Sequence, residues 1–125
     1  MSKQLIVRYV RRVLRKENCR RASVTVILIG SRVCRRLNRQ FLSHDYVTDV
    51  LSFGLGEGKI FEGEIYVNLD RARQQARSYG VAFGNEVARL VIHGTLHLMG
   101  YNDKHPRDAD VMKREEEKHL AYWFR

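Results

Sequence analysis

The sequence has few prolines, cysteines and acidic residues. Its 125 residues include one proline and two cysteines, and 14 acidic residues stand against 23 lysines and arginines. No proline-, glycine- or serine-rich linker divides a chain of this length, so we expect a single domain over residues 1–125. Cys19 and Cys34 form neither a CxxC pair nor a disulfide framework, which favours a reducing compartment and predicts a cytoplasmic protein.

Long apolar runs are also missing. None approaches the ~20 residues that cross a bilayer, and the N-terminal residues lack the apolar core and cleavage site of a secretory signal. We therefore expect no membrane association. The surplus of basic residues gives a net charge of +9, which favours a polyanionic partner, most often a nucleic acid. The alternative is that the positive net charge only keeps the protein soluble.

Hydrophobic periodicity predicts the order helix, strand, helix, strand, strand and then three helices. The β-branched run at 23–29 is typical of a well-buried strand, and the next two strands are expected to pair as a hairpin. Asp70 and Asn85 are expected to cap two of the helices. The order fits an α+β fold, a single domain with a small mixed sheet covered by helices. The predicted ranges are 4–16, 23–29, 31–41, 48–53, 60–67, 70–79, a helix opened by Asn85, and 107–123.

A histidine-rich segment near the C-terminal end predicts a metal site. His93 and His97 are four residues apart, so on a helix both imidazoles face one side and can share one ion. Gly100 is expected to end that helix, because glycine adopts the left-handed conformation without steric cost. The chain can then turn and bring Asp103 or His105 back towards the same ion.

This spacing matches the ligand framework of the metzincin peptidases, His-x-x-x-His-x-x-Gly-x-x-ligand. Here the pattern ends at Asp103. Gly94 stands where the peptidase helix carries the glutamate that acts as general base. The sequence therefore predicts an open three-ligand site, on a helix buried against the sheet, without the base needed for peptide hydrolysis. Imidazole together with carboxylate favours zinc ahead of other divalent metals.

Two helices are predicted to carry basic surfaces. The first has arginines along 8–15, and the second, at 31–41, is expected to turn Val33, Leu37 and Cys34 inward. Arginines on the exposed face of the second helix are candidates for contacts to phosphate. They are Arg32, Arg35, Arg36 and Arg39.

Several segments resemble the YbeY endoribonucleases, which mature and quality-check bacterial ribosomal RNA. The resemblance runs from about residue 23 to the last helix. It rests on the segments 37–41 (LNRQF), Asp45 with 48–53 (TDVLSF), 63–65 (GEI), and above all 93–101 (HGTLHLMGY).

The resemblance implies one zinc ion bound by three residues, no small-molecule cofactor, and hydrolytic cleavage of single-stranded ribosomal RNA. The implied roles are maturation of the 3′ end of the small-subunit RNA and quality control of the ribosome. His93 and His97 match two family ligands. The family's third ligand is a histidine six residues after the second, a position held here by Asp103, whereas a two-residue insertion would supply His105 instead.

Other family positions bear on the reaction. Leu42 stands where the family usually carries an arginine tied to activity, and Arg36 or Arg39 is a hypothetical substitute. Glu64 is a candidate for proton transfer, as a hypothesis, and the arginines would hold the RNA backbone with little sequence readout. Aromatic side chains that could stack on single-stranded bases are Tyr46, Phe53 and Tyr101.

Two rival functions fit part of the pattern. A basic ribosome- or RNA-binding assembly factor could hold a metal with a structural role, in which case loss of the histidines would unfold it. A peptidase or other metallohydrolase would share the ligand spacing, but Gly94 and the basic charge argue against it.

Overall fold

Five helices and three strands make up the part of the chain that the computed structural model describes, residues 2–42, 48–55 and 60–124. They follow one another in the predicted order, and the α+β class is confirmed. Tyr46 lies outside the described residues. The elements are α1 (Lys3–Lys16), β1 (Ala22–Ile29), α2 (Ser31–Leu42), β2 (Val50–Leu55), β3 (Phe61–Asn68), α3 (Leu69–Tyr79), α4 (Phe83–Leu98) and α5 (Pro106–Trp123).

The ends of two helices differ from the prediction. Asn68, not Asp70, caps α3: its Oδ1 accepts hydrogen bonds from the Asp70 and Arg71 amides at 3.0 and 3.2 Å. The Asp70 carboxylate instead accepts from the Ser31 amide at 2.9 Å and so joins the start of α2 to α3. Helix α4 begins at Phe83, which places Asn85 inside its first turn. Both predicted caps were wrong because each helix starts earlier in the chain than expected: Asn68 caps α3, whereas Ala82 precedes α4 and offers no side-chain hydrogen bond.

The sheet is mixed, with the order β1-β3-β2. Strand β3 lies in the centre, parallel to β1 and antiparallel to β2. The predicted antiparallel pairing of the two later strands is confirmed. The predicted burial of β1 was wrong, because every residue of this edge strand is half-buried or exposed. A run of β-branched residues indicates an apolar strand, but it does not indicate whether that strand lies at the edge or in the centre of the sheet.

Helix α4 packs on one face of the sheet at very short range. A Cβ atom added to Gly94 would lie 2.7 Å from Cγ2 of Ile65, and one added to Gly63 would lie 2.8 Å from Cδ1 of Leu98. These two glycines therefore let the helix approach β2 and β3 closely. Nine of the sixteen residues of α4 are buried, as expected for a helix that packs against the sheet on one side and other helices around it.

Helices α1, α3 and α5 pack around α4 and complete the core. Val13 of α1 and Met112 of α5 are almost fully buried, and Leu120 and Trp123 pack against the same cluster. The end of α4 is the predicted one: Gly100 follows it with a φ of 102°. Among the described residues, no helix combines the length and apolarity that crossing a membrane requires.

Candidate metal centre

Helix α4 places His93 and His97 one turn apart on the same face of the helix. The neighbouring face packs on the sheet, because Gly94 lies about 100° around the helix from His93 and its carbonyl oxygen accepts a hydrogen bond from the Ser52 hydroxyl at 3.1 Å. His97 is exposed, whereas the side chain of His93 is 23 % exposed. The packing of the small residue against β2 and β3 thus determines which way both imidazoles point.

The His93 ring lies between two carboxylates. Its Nδ1 is 2.5 Å from Oε2 of Glu116 on α5, and its Nε2 is 3.8 Å from Oδ2 of Asp103. Burial opposes a charge on this ring, but the hydrogen bond and charge of Glu116, with Asp103 and Asp49, outweigh it and raise the pKa of His93. The carboxylates that favour the protonated ring also favour a bound cation beside it.

The separation of His93 Nε2 and Asp103 Oδ2 fits a shared metal ion. Nitrogen and oxygen ligands lie about 2.0–2.2 Å from zinc, so two of them in a tetrahedral site are about 3.4 Å apart. The observed 3.8 Å is within half an ångström of that value. Imidazole and carboxylate are also the donor types that zinc accepts. The chemistry and spacing of the pair are therefore compatible with two of the ligands of a zinc ion.

The other predicted ligands are not drawn into this pair. Across residues 2–42, 48–55 and 60–124, no three His, Cys, Asp or Glu side chains are arranged to hold one ion. His105 is exposed and occupies the N-cap position of α5. Of the two alternatives for the third ligand, the structure brings only Asp103 into contact with His93.

A charged network continues behind His93 into the protein. Glu86, 1 % exposed, accepts two hydrogen bonds from Arg89, at 2.9 and 2.6 Å, and one from Gln75 at 2.7 Å. Arg89 also lies 3.5 Å from Glu116. The hydrogen bond to Glu86 raises the pKa of Arg89 despite its burial, so this guanidinium stays charged. The network links α3, α4 and α5 to the histidine.

Sequence reasoning missed Arg89 and Glu116 as parts of this site. The signal for Arg89 was available, because Arg89, His93 and His97 recur every four residues and so share one helix face. Glu116 gave no such signal. It lies 23 residues beyond His93, among three consecutive glutamates at 115–117, and only the packing of α5 on α4 distinguishes it from its neighbours.

The structure does not bring Glu64 together with the histidines. Its neighbours Gly63 and Ile65 face α4, and side chains alternate along a strand, so Glu64 points to the other face of the sheet. There its carboxylate accepts a hydrogen bond from the Tyr66 hydroxyl at 3.1 Å. The proton-transfer hypothesis requires Glu64 to point towards the metal ligands, and the structure does not place it there.

The candidate stacking residues lie in two different places. Phe53 packs edge-to-face against Phe41 and Tyr66 on the sheet face that carries Glu64. Tyr101 packs against the core, and its hydroxyl donates to Glu17 at 2.7 Å, which raises the pKa of Tyr101 to about 12. Neither ring contacts His93 in this arrangement.

The four candidate arginines of α2 share one surface. With Ser31, they line an open cavity of about 410 Å³. The inward face of the helix agrees with the prediction in part: Cys34 is buried as expected, but Asn38 is buried as well and Val33 is 37 % exposed. Leu42 ends the helix and is exposed. The arginines are Arg32, Arg35, Arg36 and Arg39.

Comparison with known proteins gives consistent matches over nearly the whole chain. The sequence profile of the family described as Endoribonuclease YbeY matches residues 1–123. An Endoribonuclease YbeY of Chlorobaculum parvum is 40% identical over 120 residues, which cover 96% of this chain and 85% of the relative. One from Bacteroides thetaiotaomicron is 33% identical over 121 residues, 97% of this chain and 88% of that protein.

A solved structure has the same fold. The solution structure of TM1509 from Thermotoga maritima superimposes with a TM-score of 0.68 at 32% sequence identity. The match covers 94% of this chain and 77% of that protein. The similarity therefore extends beyond the histidine segment to the sheet and its helices.

Proposed function

Since this chain belongs to the YbeY endoribonuclease family, we propose that it is a metal-dependent endoribonuclease that cleaves single-stranded ribosomal RNA. The proposed roles in the cell are maturation of the 3′ end of the small-subunit RNA and quality control of the ribosome, in the cytoplasm. The observation that carries the metal dependence is the pairing of His93 Nε2 with Asp103 Oδ2 at 3.8 Å.

The proposed ligands are His93, His97 and Asp103, with His105 as the alternative to Asp103. Zinc bound by such a set supplies a Lewis acid for the phosphodiester and a water of lowered pKa. His93 would be held from behind by Glu116, and exposed His97 and Asp103 would complete the set from the solvent side. Three protein ligands leave one position open for substrate or water, as in catalytic zinc sites.

The packing of Gly94 supports a nuclease over a peptidase. A side chain at this position would meet Ile65 at 2.7 Å and Ser52 at 3.0 Å. A glutamate introduced here would therefore collide with the sheet, so a general base cannot simply be restored at the position used by the peptidases.

The arginines of α2 are proposed to hold the RNA backbone. Their shared cavity opens to solvent, and phosphate contacts of this kind give affinity with little sequence readout. The family arginine is absent at Leu42, and Arg36 or Arg39 is the proposed source of the missing charge. Glu64 receives no role, because it lies on the opposite sheet face from α4.

Cleavage of a single-stranded ribosomal RNA fragment tests this function. Purified wild type should cut the fragment in the presence of zinc, while folded His97→Ala should not. Equal cleavage by both proteins would indicate a contaminating nuclease and contradict the proposal. If neither cuts but wild type binds metal and retains RNA, the assembly-factor reading replaces the enzyme.

The third ligand can be tested with the same assay and a zinc titration. Asp103→Ala should lose metal and activity, whereas His105→Ala, a change of the same kind two residues away, should retain both. The reverse result would assign the ligand to His105.

A further inference from the structure

We propose that Glu116 of α5 is a positioning residue for the metal centre. Its carboxylate holds the His93 ring in the orientation and tautomer in which Nε2 is the ligating atom. The inference rests on the proposed metal-dependent function, and it adds a residue outside the ligand set and outside the histidine segment.

The first step is the contact between Glu116 and His93. Oε2 of Glu116 lies 2.5 Å from Nδ1 of His93. An ionised carboxylate only accepts hydrogen bonds, so it places the proton on Nδ1. The lone pair of the neutral ring then lies on Nε2, the atom that faces Asp103 at 3.8 Å. A carboxylate behind a ligating histidine fixes both the tautomer and the ring direction.

The second step is that Glu116 is itself held in place. It is 7 % exposed, and its other oxygen lies 3.5 Å from Nη1 of Arg89. Arg89 is fixed by two hydrogen bonds to the buried Glu86. Each oxygen of Glu116 therefore has one defined partner, and the carboxylate cannot rotate towards solvent without losing its contacts with both Arg89 and His93.

The alternative is that Glu116 only joins α5 to α4. That role would affect the free energy of unfolding without metal, but it would leave the affinity of a folded protein for metal unchanged. Metal affinity and the ligand field of a bound ion therefore distinguish the two roles. Both can be measured without any RNA.

The test compares wild type with Glu116→Gln, Glu116→Asp and the control Glu117→Gln. Glu117 is the next residue on α5 and is exposed, so its change to glutamine alters the net charge equally. Each protein is first shown to be folded without metal by circular dichroism and urea unfolding. Zinc is then titrated against a competing chelator, and cobalt binding is followed through its visible absorption spectrum.

We expect zinc binding to weaken about 10–100-fold in Glu116→Gln, as is typical for loss of an outer-sphere carboxylate. The cobalt spectrum should change with it. Glu116→Asp keeps the charge but withdraws the oxygen by one methylene, so it should weaken binding by a smaller factor. Glu117→Gln should remain within twofold of wild type.

Wild-type affinity and spectrum in folded Glu116→Gln would overturn the positioning role. If that variant does not fold, Glu116→Asp decides, and wild-type metal binding in it would overturn the proposal equally. Wild-type protein that binds neither zinc nor cobalt would overturn the proposed metal-dependent function itself, and the positioning role with it.

Discussion

Helices α4 and α2 carry the two sets of candidate functional residues, and they hold their charges in opposite ways. On α4, Glu86 and Arg89 are bonded to each other and to residues of neighbouring helices, and they support His93 from inside the protein. On α2, four arginines stand on an exposed surface around an open cavity. A site that must place ligand atoms within a fraction of an ångström needs the first arrangement, whereas attraction of a phosphate chain needs only the second.

The comparison predicts that changes in the α4 network are costly and changes on α2 are mild. The largest effect is expected for Glu86→Ala, which leaves half-buried Arg89 and Gln75 without their common buried partner. Breaking one side of a buried pair typically costs 3–5 kcal/mol, and we expect about 3 kcal/mol here because Arg89 is 27 % exposed. Urea unfolding measures the loss, with exposed Glu117→Ala as the control. A loss below about 1 kcal/mol would break the comparison.

The second largest effect is a difference in stability between alanine substitutions at two glycines of α4. Gly94→Ala introduces a Cβ 2.7 Å from Ile65, while Gly84→Ala introduces one with nothing within 4 Å. Overpacking should cost about 1–3 kcal/mol at Gly94, whereas better helix propensity should stabilise Gly84→Ala by up to about 1 kcal/mol. Opposite shifts of the urea midpoint are the expected result. Equal shifts would show that the close approach of α4 to the sheet is not the constraint.

A smaller effect is expected on the exposed surface of α2. Arg32→Ala or Arg36→Ala should weaken binding of single-stranded RNA only a few-fold, equally for unrelated sequences. Each lost phosphate contact should reduce the slope of log affinity against log salt by about 0.7. Arg77→Ala, an equal loss of charge on exposed α3, is the control. A single variant that abolishes binding would show that α2 is as precisely organised as α4.

The smallest effect on stability is expected for a pair formed by an arginine and a buried histidine, outside both α4 and α2. Arg12 of α1 is 2.5 Å from Nδ1 of His119, which is 3 % exposed. Burial and the charge of Arg12 lower the pKa of His119, with Lys16 acting in the same direction and Glu115 and Glu17 opposing it.

In the unfolded chain the histidine titrates near 6.5, so the unfolded state binds the proton more readily. The stability contributed by neutral His119 is therefore present above about pH 6.5 and is lost as the pH falls through the lowered folded value. His119→Gln can still accept from Arg12 but does not titrate, so its urea midpoint should depend less on pH between 7.5 and 5. An unchanged pH dependence would contradict this assignment.

Local patterns could predict the helices and the histidine pair, because four-residue spacing and a glycine stop act over one or two turns. They could not predict the partners of those residues. The place of β1 at the sheet edge depends on the pairing of Ala22 with Phe61, and the contact of Glu116 with His93 depends on how α5 crosses α4. The face on which Glu64 lies could not be predicted for the same reason, since which face of a strand points into the core is decided by the helix that covers the sheet.

The parallel pairing of β1 with β3 limits the order in which the nascent chain can fold. In the sheet of the described residues, β1 pairs only with β3, which emerges from the ribosome about 40 residues later. At 5–20 residues per second, this interval lasts roughly 2–8 s. Throughout it, eight uncharged residues without proline have no strand to join. The speed of translation from α2 through β3 thus sets how long this segment is exposed to incorrect strand pairing.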